Sequence, residues 1–573
     1  MIVSDFIADF LHKQGVIHVY EVIGGMITRI VDSIHRQGKI QLISVHHEQA
    51  AAFAADATGR LTGIPGVAMA TSGPGATNLL TGIGSCYFDS VPAVFITGQV
   101  NRSELKGDRQ IRQLGFQELD IVTMARPITK ATLQINDPSQ VPTVMQQAFS
   151  LSRSGRPGPV LVDIPMDVQG ANINVNNRAY LEEDDSLSAP GSELLEKILN
   201  SIRLAKRPLV LAGRGVSSAQ ATDMFRRFID IVQIPVVHTL LATDVLPYQH
   251  PLRVGLIGTY GNRYSNLAVG ESDFLLVLGS RLDIRQTGAD TAFFKGNRTI
   301  YHVDIEEGEI NNRVKGCHPV ISHLLPFLIA MIDHASQMDW QKPREWIGKI
   351  GDLREEWPDI REFQGTKGIN PNLLMHELSR YSKEAGAYSV DVGNHQMWAA
   401  QSLELEAQQR FLTSAGMGSM GFALPAAVGA SLATGKPVVM IAGDGGMQLN
   451  IQELETISNR NLPIKMVVLN NKSLGMVRQF QQSYFSARYP STYWGYSAPD
   501  FADVAGAYRI KSYTLTNPQD FGLALEKMWE SPETPYLLQV SIEMSINLYP
   551  KIAFGHPMTA MEPFVKPLEM EGT

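Results

Sequence analysis

Short apolar runs recur from one end of the chain to the other. They include GVAMATSG (66–73), AVFITGQ (93–99), PVLVDIP (159–165), RPLVLAGRG (207–215), DFLLVLGS (273–280), TIYHVDI (299–305), PVVMIAGD (437–444) and IKMVVLNN (464–471). Helical stretches separate them. Strand–turn–helix alternation predicts βαβ units and parallel sheets, an α/β fold. Two polar stretches break the rhythm: 176–192, NNRAYLEEDDSLSAPGS, and the charged, Trp- and Pro-containing region 335–368. Read as linkers, they divide the chain into three doubly wound parallel-sheet domains, about 1–175, 190–335 and 366–573. The length of 573 residues agrees, since about 150 residues make a domain.

Composition narrows the class. Hydrophobic residues make up 44% and charged residues 18%, as in a soluble globular protein. The net charge of −8 counts against a general nucleic-acid binder. Cys86 and Cys317 lie far apart, in no metal-ligand pattern, and fit a reducing compartment. The N-terminal amphipathic helix carries Asp5 and Asp9 and lacks a basic n-region, so it does not read as a signal peptide. No apolar run approaches the roughly 18 residues of a membrane span. The expectation is a cytoplasmic protein with neither membrane nor nucleic-acid partners.

Chemistry concentrates at two strand ends. PVVMIA runs into Gly443-Asp444-Gly445-Gly446, and 24 residues after GDG come Asn470 and Asn471. Ligands of open α/β sheets bind beyond the carboxyl ends of strands. A carboxylate, an amide oxygen and a nearby carbonyl are hard ligands, too few for a closed cage. They suit Mg2+ with phosphate oxygens completing an octahedron. Taken alone, GDG reads better as a glycine turn with Asp444 capping a helix; the spaced Asn pair reverses that preference.

GDG, 24 residues, then NN resembles the diphosphate–metal motif of thiamine diphosphate (ThDP) enzymes. The resemblance spans essentially the whole chain and is closest to the acetolactate synthase family. It implies an N-terminal pyrimidine-binding, a central FAD-binding-like and a C-terminal diphosphate-binding domain. It implies Mg2+ on Asp444, Asn471 and the Ser473 carbonyl, and diphosphate contacts from Val392, Gly393, Asn394, His395, Gly445 and Gly446. The synthases usually have Gln at the position of Asn394. Glu48, in HEQAAAFAADATGR, could by itself be an acid at a helix N-terminus; in the family pattern it is the activating glutamate. ThDP supplies an acidic thiazolium carbon and an electron sink, and the protein supplies tautomer and geometry. Gly25 and the TSGPGATN turn, with Pro74 and Asn78, are implied around the pyrimidine. Gly418 and Met420 are implied to support the cofactor's bent form, although Met420 also suits ordinary packing. Glu48 and Asp444 fall in different domains, and the family builds its site between two chains. A homodimer is therefore the minimum assembly expected, and a tetramer is compatible.

The central segments LAGRGV, GLIGTYGNRYSNLAV, GSRLDIRQTG and HVDIEEGEI resemble FAD-binding segments of the synthases. The residues implied are Arg156, Gly213, Gly215, Tyr260, Gly261, Arg281, Asp283, Arg285, Thr287, Asp304 and Ile305. Individually these are generic α/β turns, and the synthases' VGD reads ISH (321–323) here. FAD would be structural, because carboligation has no net redox change.

The resemblance implies decarboxylation of a 2-oxo acid, presumed to be pyruvate, and transfer of the two-carbon unit to an acceptor. Phe116 and Gln117 match pocket residues, and Met476 lies in the acceptor-side segment. Four departures bear on the acceptor: Phe480 replaces a Trp, Met166 a Lys, Gly115 an Ala, and the 15-residue loop 101–115 is longer. That loop carries Arg102, Lys106, Arg109 and Arg112 against Glu104 and Asp108. A widened, basic site suits a phosphorylated acceptor, and the departures resemble carboligases acting on nucleotide-linked 4-keto-deoxysugars in branched-chain sugar biosynthesis. Acetolactate formation is the alternative for the site, a solvated, internally paired loop the alternative for the charges. A homologue that kept the fold as a regulator or scaffold is the alternative from another class.

Overall fold

A computed structural model describes residues 1–174, 188–365 and 367–569. Most of the polar stretch 176–192 therefore lies outside the described residues. Three six-stranded sheets, parallel throughout, organise the rest. The first runs in the order Gln41–Ser44, His18–Glu21, Gly66–Ala70, Ala93–Gln99, Pro159–Pro165, Ala131–Gln134. The second runs His318–Ile321, Thr299–Asp304, Phe274–Leu278, Pro208–Ala212, Val236–His238, Arg253–Leu256. The third runs Arg410–Leu412, Ala387–Val390, Val438–Gly443, Ile464–Asn470, Tyr536–Ser541, Lys511–Leu515. The doubly wound α/β expectation is met three times over. The apolar runs form the central strands because helices cover both faces there; every residue of Ala93–Gln99, Phe274–Leu278 and Ile464–Asn470 is buried.

Each sheet reverses its winding beside its first strand in sequence, and there a crevice opens. In the first sheet it lies between His18–Glu21 and Gly66–Ala70, in the second between Pro208–Ala212 and Phe274–Leu278, in the third between Ala387–Val390 and Val438–Gly443.

The stretch 335–368 is more than a linker. Helix Arg344–Glu356 buries Trp346, Ile350 and Leu353 against the central sheet's core, and the Trp346 indole donates to the Pro208 carbonyl at 3.1 Å. The C-terminus also returns to that core. An antiparallel pair, Lys551–Ile552 with Met561–Glu562, places Ile552, Met558 and Met561 in it.

The first and third sheets are joined by helices Glu48–Thr62 and Ala423–Thr434. A side chain on Gly429 would meet the Ala54 carbonyl at 2.2 Å, so the two backbones touch. The run of alanines after Glu48 is what permits that approach. Phe53 and Phe422 close one end edge to face at 5.3 Å.

Candidate active site

The third sheet's crevice gathers the predicted metal and diphosphate residues. Asp444 opens helix Asp444–Leu449 directly after strand Val438–Gly443, and Asn471 follows the neighbouring strand Ile464–Asn470. The Asp444 carboxylate accepts from the Gly445 amide at 2.9 Å and the Ser473 amide at 3.2 Å. Burial pushes its pKa up to about 6. The Ser473 amide also donates to the Asn471 side-chain oxygen at 3.1 Å. One turn thus joins Asp444, Asn471 and Ser473.

Across the crevice, Val392 and Gly393 lead into helix Asn394–Ser402. Both polar atoms of the Asn394 amide and Nε2 of His395 are buried without a partner. Burial lowers the His395 pKa to about 3, so its ring is neutral. A side chain on Gly475 would meet the amide nitrogens of Asn394 at 2.8 Å and Asn471 at 3.0 Å, so these two groups converge. Unpartnered buried polar groups demand a ligand or water. These fit a diphosphate with its metal: Asn394 and His395 would face the phosphates, and Asp444, Asn471 and the Ser473 carbonyl would hold Mg2+. Among the described residues no three or more His, Cys, Asp or Glu side chains cluster as a metal site.

Asp391 is a residue that the sequence analysis missed. It follows strand Ala387–Val390, and its carboxylate accepts from the amides of Val392 at 2.6 Å and Gly421 at 3.0 Å. Burial raises its pKa to about 7. It pins the turn of Asn394 to the loop of Gly418 and Met420. The signal was the one that exposed Asp444, an acid directly after an apolar strand. A side chain on Gly446 would collide with Asp391 at 2.9 Å, so that glycine is needed for the pinning. Gly418, at φ +66°, has open space where a side chain would begin. Met420 is half-buried, and its methyl lies 3.2 Å from the position of a side chain on Gly445. It faces the diphosphate turn rather than a core.

Glu48 begins its helix at 9% exposure. Asn78, at the end of helix Pro74–Asn78, donates to its carboxylate at 2.8 Å. A side chain on Gly75 would come within 3.2 Å of the other oxygen. The TSGPGATN turn therefore wraps Glu48, with Gly73 at φ +69° giving the reversal. Gly25 starts a short turn after strand His18–Glu21 with open space beside it. Next to Glu48, Gln49 accepts from Asn450 at 3.0 Å, six residues after Asp444.

The central crevice is a cleft of about 350 Å3. Arg156, Gly215, Tyr260, Arg281, Asp283, Arg285, Asp304 and Ile305 line it. Gly213, Gly261 and Thr287 do not; they shape the turns behind it. A side chain on Gly213 would strike the Gly279 carbonyl at 2.2 Å, and one on Gly261 the Ile257 backbone at 2.6 Å. Thr287 donates to the Asp283 carbonyl at 3.1 Å. Arg156 is bound to Glu306 at 2.6 Å and Glu309 at 2.9 Å. Burial raises the pKa of Asp304 to about 6. Arg214, between the two predicted glycines, was missed. Its Nε has no partner, and burial with Arg60 and Arg410 nearby pushes its pKa down to about 10. With the Ser218 hydroxyl also unpartnered, the cleft fits the diphosphate of a dinucleotide. His323, the departure from VGD, lines the cleft, caps helix Leu324–Ala335 and accepts from the Leu325 amide at 3.3 Å.

The acceptor-side residues are less united. Phe116 is 82% exposed and Gln117 has φ +63°. The reading that Gly115 frees space is corrected: its missing methyl would strike Val100 at 2.9 Å and Glu104 at 3.0 Å. Met166 begins the short helix Met166–Gln169. The internally paired loop is corrected too. Arg102 pairs with Asp167, outside the loop, at 2.7 Å, and Glu104 caps Asn101. Arg109 donates to the carbonyls of Leu105 and Lys106 at 3.0 and 3.1 Å, and Arg112 is exposed. Met476 packs on the core of the third sheet. Phe480, on the same helix Gly475–Tyr484, is 40% exposed beside Tyr484 and Phe485.

Comparison with known proteins agrees with this geometry. Three family profiles match: thiamine pyrophosphate enzyme, N-terminal TPP binding domain, at residues 1–124; the central domain at 195–331; and the C-terminal TPP binding domain at 391–540. The acetolactate synthase large subunit of Cyanidium caldarium is 36% identical, covering 98% of this chain and 96% of the relative. That of Lactococcus lactis subsp. lactis is 36% identical over 96% and 94%. The acetolactate synthase isozyme 2 large subunit of Escherichia coli is 36% identical over 96% and 97%. The chain belongs to the acetolactate synthase family of ThDP enzymes. As a family member it is a ThDP-dependent, acetolactate synthase-like enzyme. Among the described residues no helix is long and apolar enough to cross a membrane.

Replacing Asp444 by Ala should abolish Mg2+-dependent retention of ThDP while circular dichroism stays native. Calorimetry with and without chelator checks this; unchanged ThDP affinity would remove Asp444 from the metal site.

Proposed function

We propose that this protein decarboxylates a 2-oxo acid, pyruvate, with ThDP and Mg2+, and joins the two-carbon unit to a second pyruvate to give acetolactate. The observation carrying the reading is the convergence of Asp444, Asn471, Asn394 and His395 in one crevice of a chain whose relatives are acetolactate synthases. Glu48, held by Asn78, would hydrogen-bond the pyrimidine and help move its proton. Phe116 and Gln117 would border the substrate. The site is completed by a second copy of the chain, a reading supported by the exposure of Ile111, Leu114 and Phe116 in a single chain.

A second reading, a bulky nucleotide-linked 4-keto-deoxysugar as acceptor, keeps support from Phe480, half-exposed where the synthases carry a larger Trp. Arg112 adds an exposed cation. Gly115 and Arg109 no longer favour it, because one leaves no space and the other binds its own loop. We further infer that FAD occupies the central cleft in a structural role, supported by the unpartnered Nε of Arg214 and hydroxyl of Ser218 and by eight lining residues that match the family segments.

Glu48→Gln should retain ThDP and lose about 10²–10⁴-fold in pyruvate turnover, the usual worth of acid–base help; near-wild-type turnover would dismiss the assignment. Product analysis decides the acceptor. On pyruvate alone the enzyme should form acetolactate rapidly, whereas slow turnover that a bulky ketone accelerates, with adduct formed, would favour the second reading. In that case Phe480→Trp should shift product back toward acetolactate. Purified protein should be yellow, with its flavin oxidised throughout turnover; colourless protein that is fully active without added FAD would refute the flavin inference.

A further inference from the structure

We propose that Gln99 is a positioning residue for the substrate side of the site: its buried amide clamps the turn 71–78, which wraps Glu48, to the segment 116–119, which carries Phe116 and Gln117. The inference rests on the reading that Phe116 and Gln117 border the substrate, and deepens it.

Gln99 ends strand Ala93–Gln99, at the edge of the first sheet where ligands of such sheets bind, and is 1% exposed. Its Oε1 accepts from the Ser72 hydroxyl at 3.2 Å and from the Val100 amide at 3.0 Å. Its Nε2 donates to the Leu119 carbonyl at 2.8 Å and to the Asp163 carboxylate at 3.2 Å. A primary amide has two donor hydrogens and two lone pairs, so its capacity is used in full. A carbonyl only accepts and a backbone amide only donates, which leaves the group one orientation. Asp163, itself buried, holds it there, and its other oxygen accepts from Thr97 at 2.7 Å.

The two segments joined by this amide meet again one residue further on. A side chain on Gly73, next to Ser72, would lie 3.1 Å from the Cβ of Gln117, and one on Gly75 would lie 3.2 Å from the Glu48 carboxylate. The turn therefore stands between Glu48 and Gln117. Beside Gln117, the Glu118 carboxylate accepts from the amides of Lys106 at 2.6 Å and Leu114 at 2.7 Å. Those bonds fold the loop on itself, whereas the bond from Gln99 to the Leu119 carbonyl ties this end of it to the sheet. Phe116, 82% exposed, has little packing of its own, so its place depends on that tie. A misplacement of about 1 Å in a site can cost about 10²-fold in rate.

The test compares the holoenzymes of wild type, Gln99→Met, Ser72→Ala, Thr97→Val and Gln117→Ala. It reads kcat/KM for pyruvate, ThDP affinity by calorimetry, the thermal midpoint, and hydrogen–deuterium exchange of residues 114–119. Gln99→Met keeps the length of the side chain and loses its hydrogen bonds. It should lower kcat/KM about 10²-fold, speed exchange of 114–119 and leave ThDP affinity unchanged. Ser72→Ala cuts one bond of the clamp. It should show a smaller loss in the same direction, and it carries the test if Gln99→Met does not fold. Thr97→Val removes a bond to the Asp163 oxygen that Gln99 does not use, so it should lower the thermal midpoint and keep wild-type kcat/KM. Wild-type kcat/KM in Gln99→Met, or in Ser72→Ala where Gln99→Met does not fold, would overturn the proposal; with Gln117→Ala impaired, the substrate reading would still stand. An equal loss in Thr97→Val would also overturn it, in favour of general packing, and weakened ThDP binding in Gln99→Met would overturn it in favour of a role in holding the cofactor. If Gln117→Ala keeps wild-type kcat/KM, the reading of Gln117 fails and the proposal falls with it.

Discussion

Backbone contact between helices Glu48–Thr62 and Ala423–Thr434 is the constraint on which the rest depends. Gly429 against the Ala54 carbonyl leaves no space for a side chain, and a core continuous from Ala50 to Ala430 fills around it. At the far end Arg60 is buried with Asp56 and Asp89, and it donates to the Thr413 carbonyl at 3.0 Å. Asp89 in turn accepts from the amides of Ala415 and Gly416. A buried ion network of this kind costs desolvation and returns geometry. Here it fixes the loop carrying Gly418 and Met420 relative to the helix that begins at Glu48. Two sheets that could have moved independently are locked at the edges where their strands end.

Chemistry then follows from topology. The second and third sheets open crevices where their winding reverses, and each of the two holds groups that the protein leaves unpaired or unsettled. In the third they are Asn394, His395 and the raised carboxylates Asp391 and Asp444. In the second they are the Nε of Arg214 and the hydroxyl of Ser218. Buried polar groups without partners lower stability, and their concentration at strand ends marks where ligands restore the balance.

Much of this was legible in the sequence. The central strands stood out because parallel strands covered on both faces are continuous apolar runs. Asp444 and Asn471 stood out because polar residues end such runs. Asp391 carried the same signal and was passed over, since it precedes the recognised VGNH segment. Arg214 was hidden between two glycines that drew the attention. What the sequence could not convey was distance across the chain. Gly115 looked like a freed methyl, yet Val100 and Glu104 occupy the space; the charges of loop 101–115 looked self-contained, yet Arg102 reaches Asp167. The region 335–368 read as a linker from its charge, although Trp346, Ile350 and Leu353 carry a helix into the core. Composition reports such a surface but not which side of it is buried.

The central claim is that one crevice of the third sheet holds a diphosphate through a divalent metal. Anomalous diffraction from crystals grown with ThDP and Mn2+ tests it most directly, because Mn2+ accepts the same octahedral oxygen set as Mg2+. The account predicts a single strong peak bounded by the side-chain oxygens of Asp444 and Asn471 and the carbonyl of Ser473, with diphosphate density toward Asn394 and His395. A peak elsewhere, or ThDP bound with no metal between Asp444 and its phosphates, would contradict it.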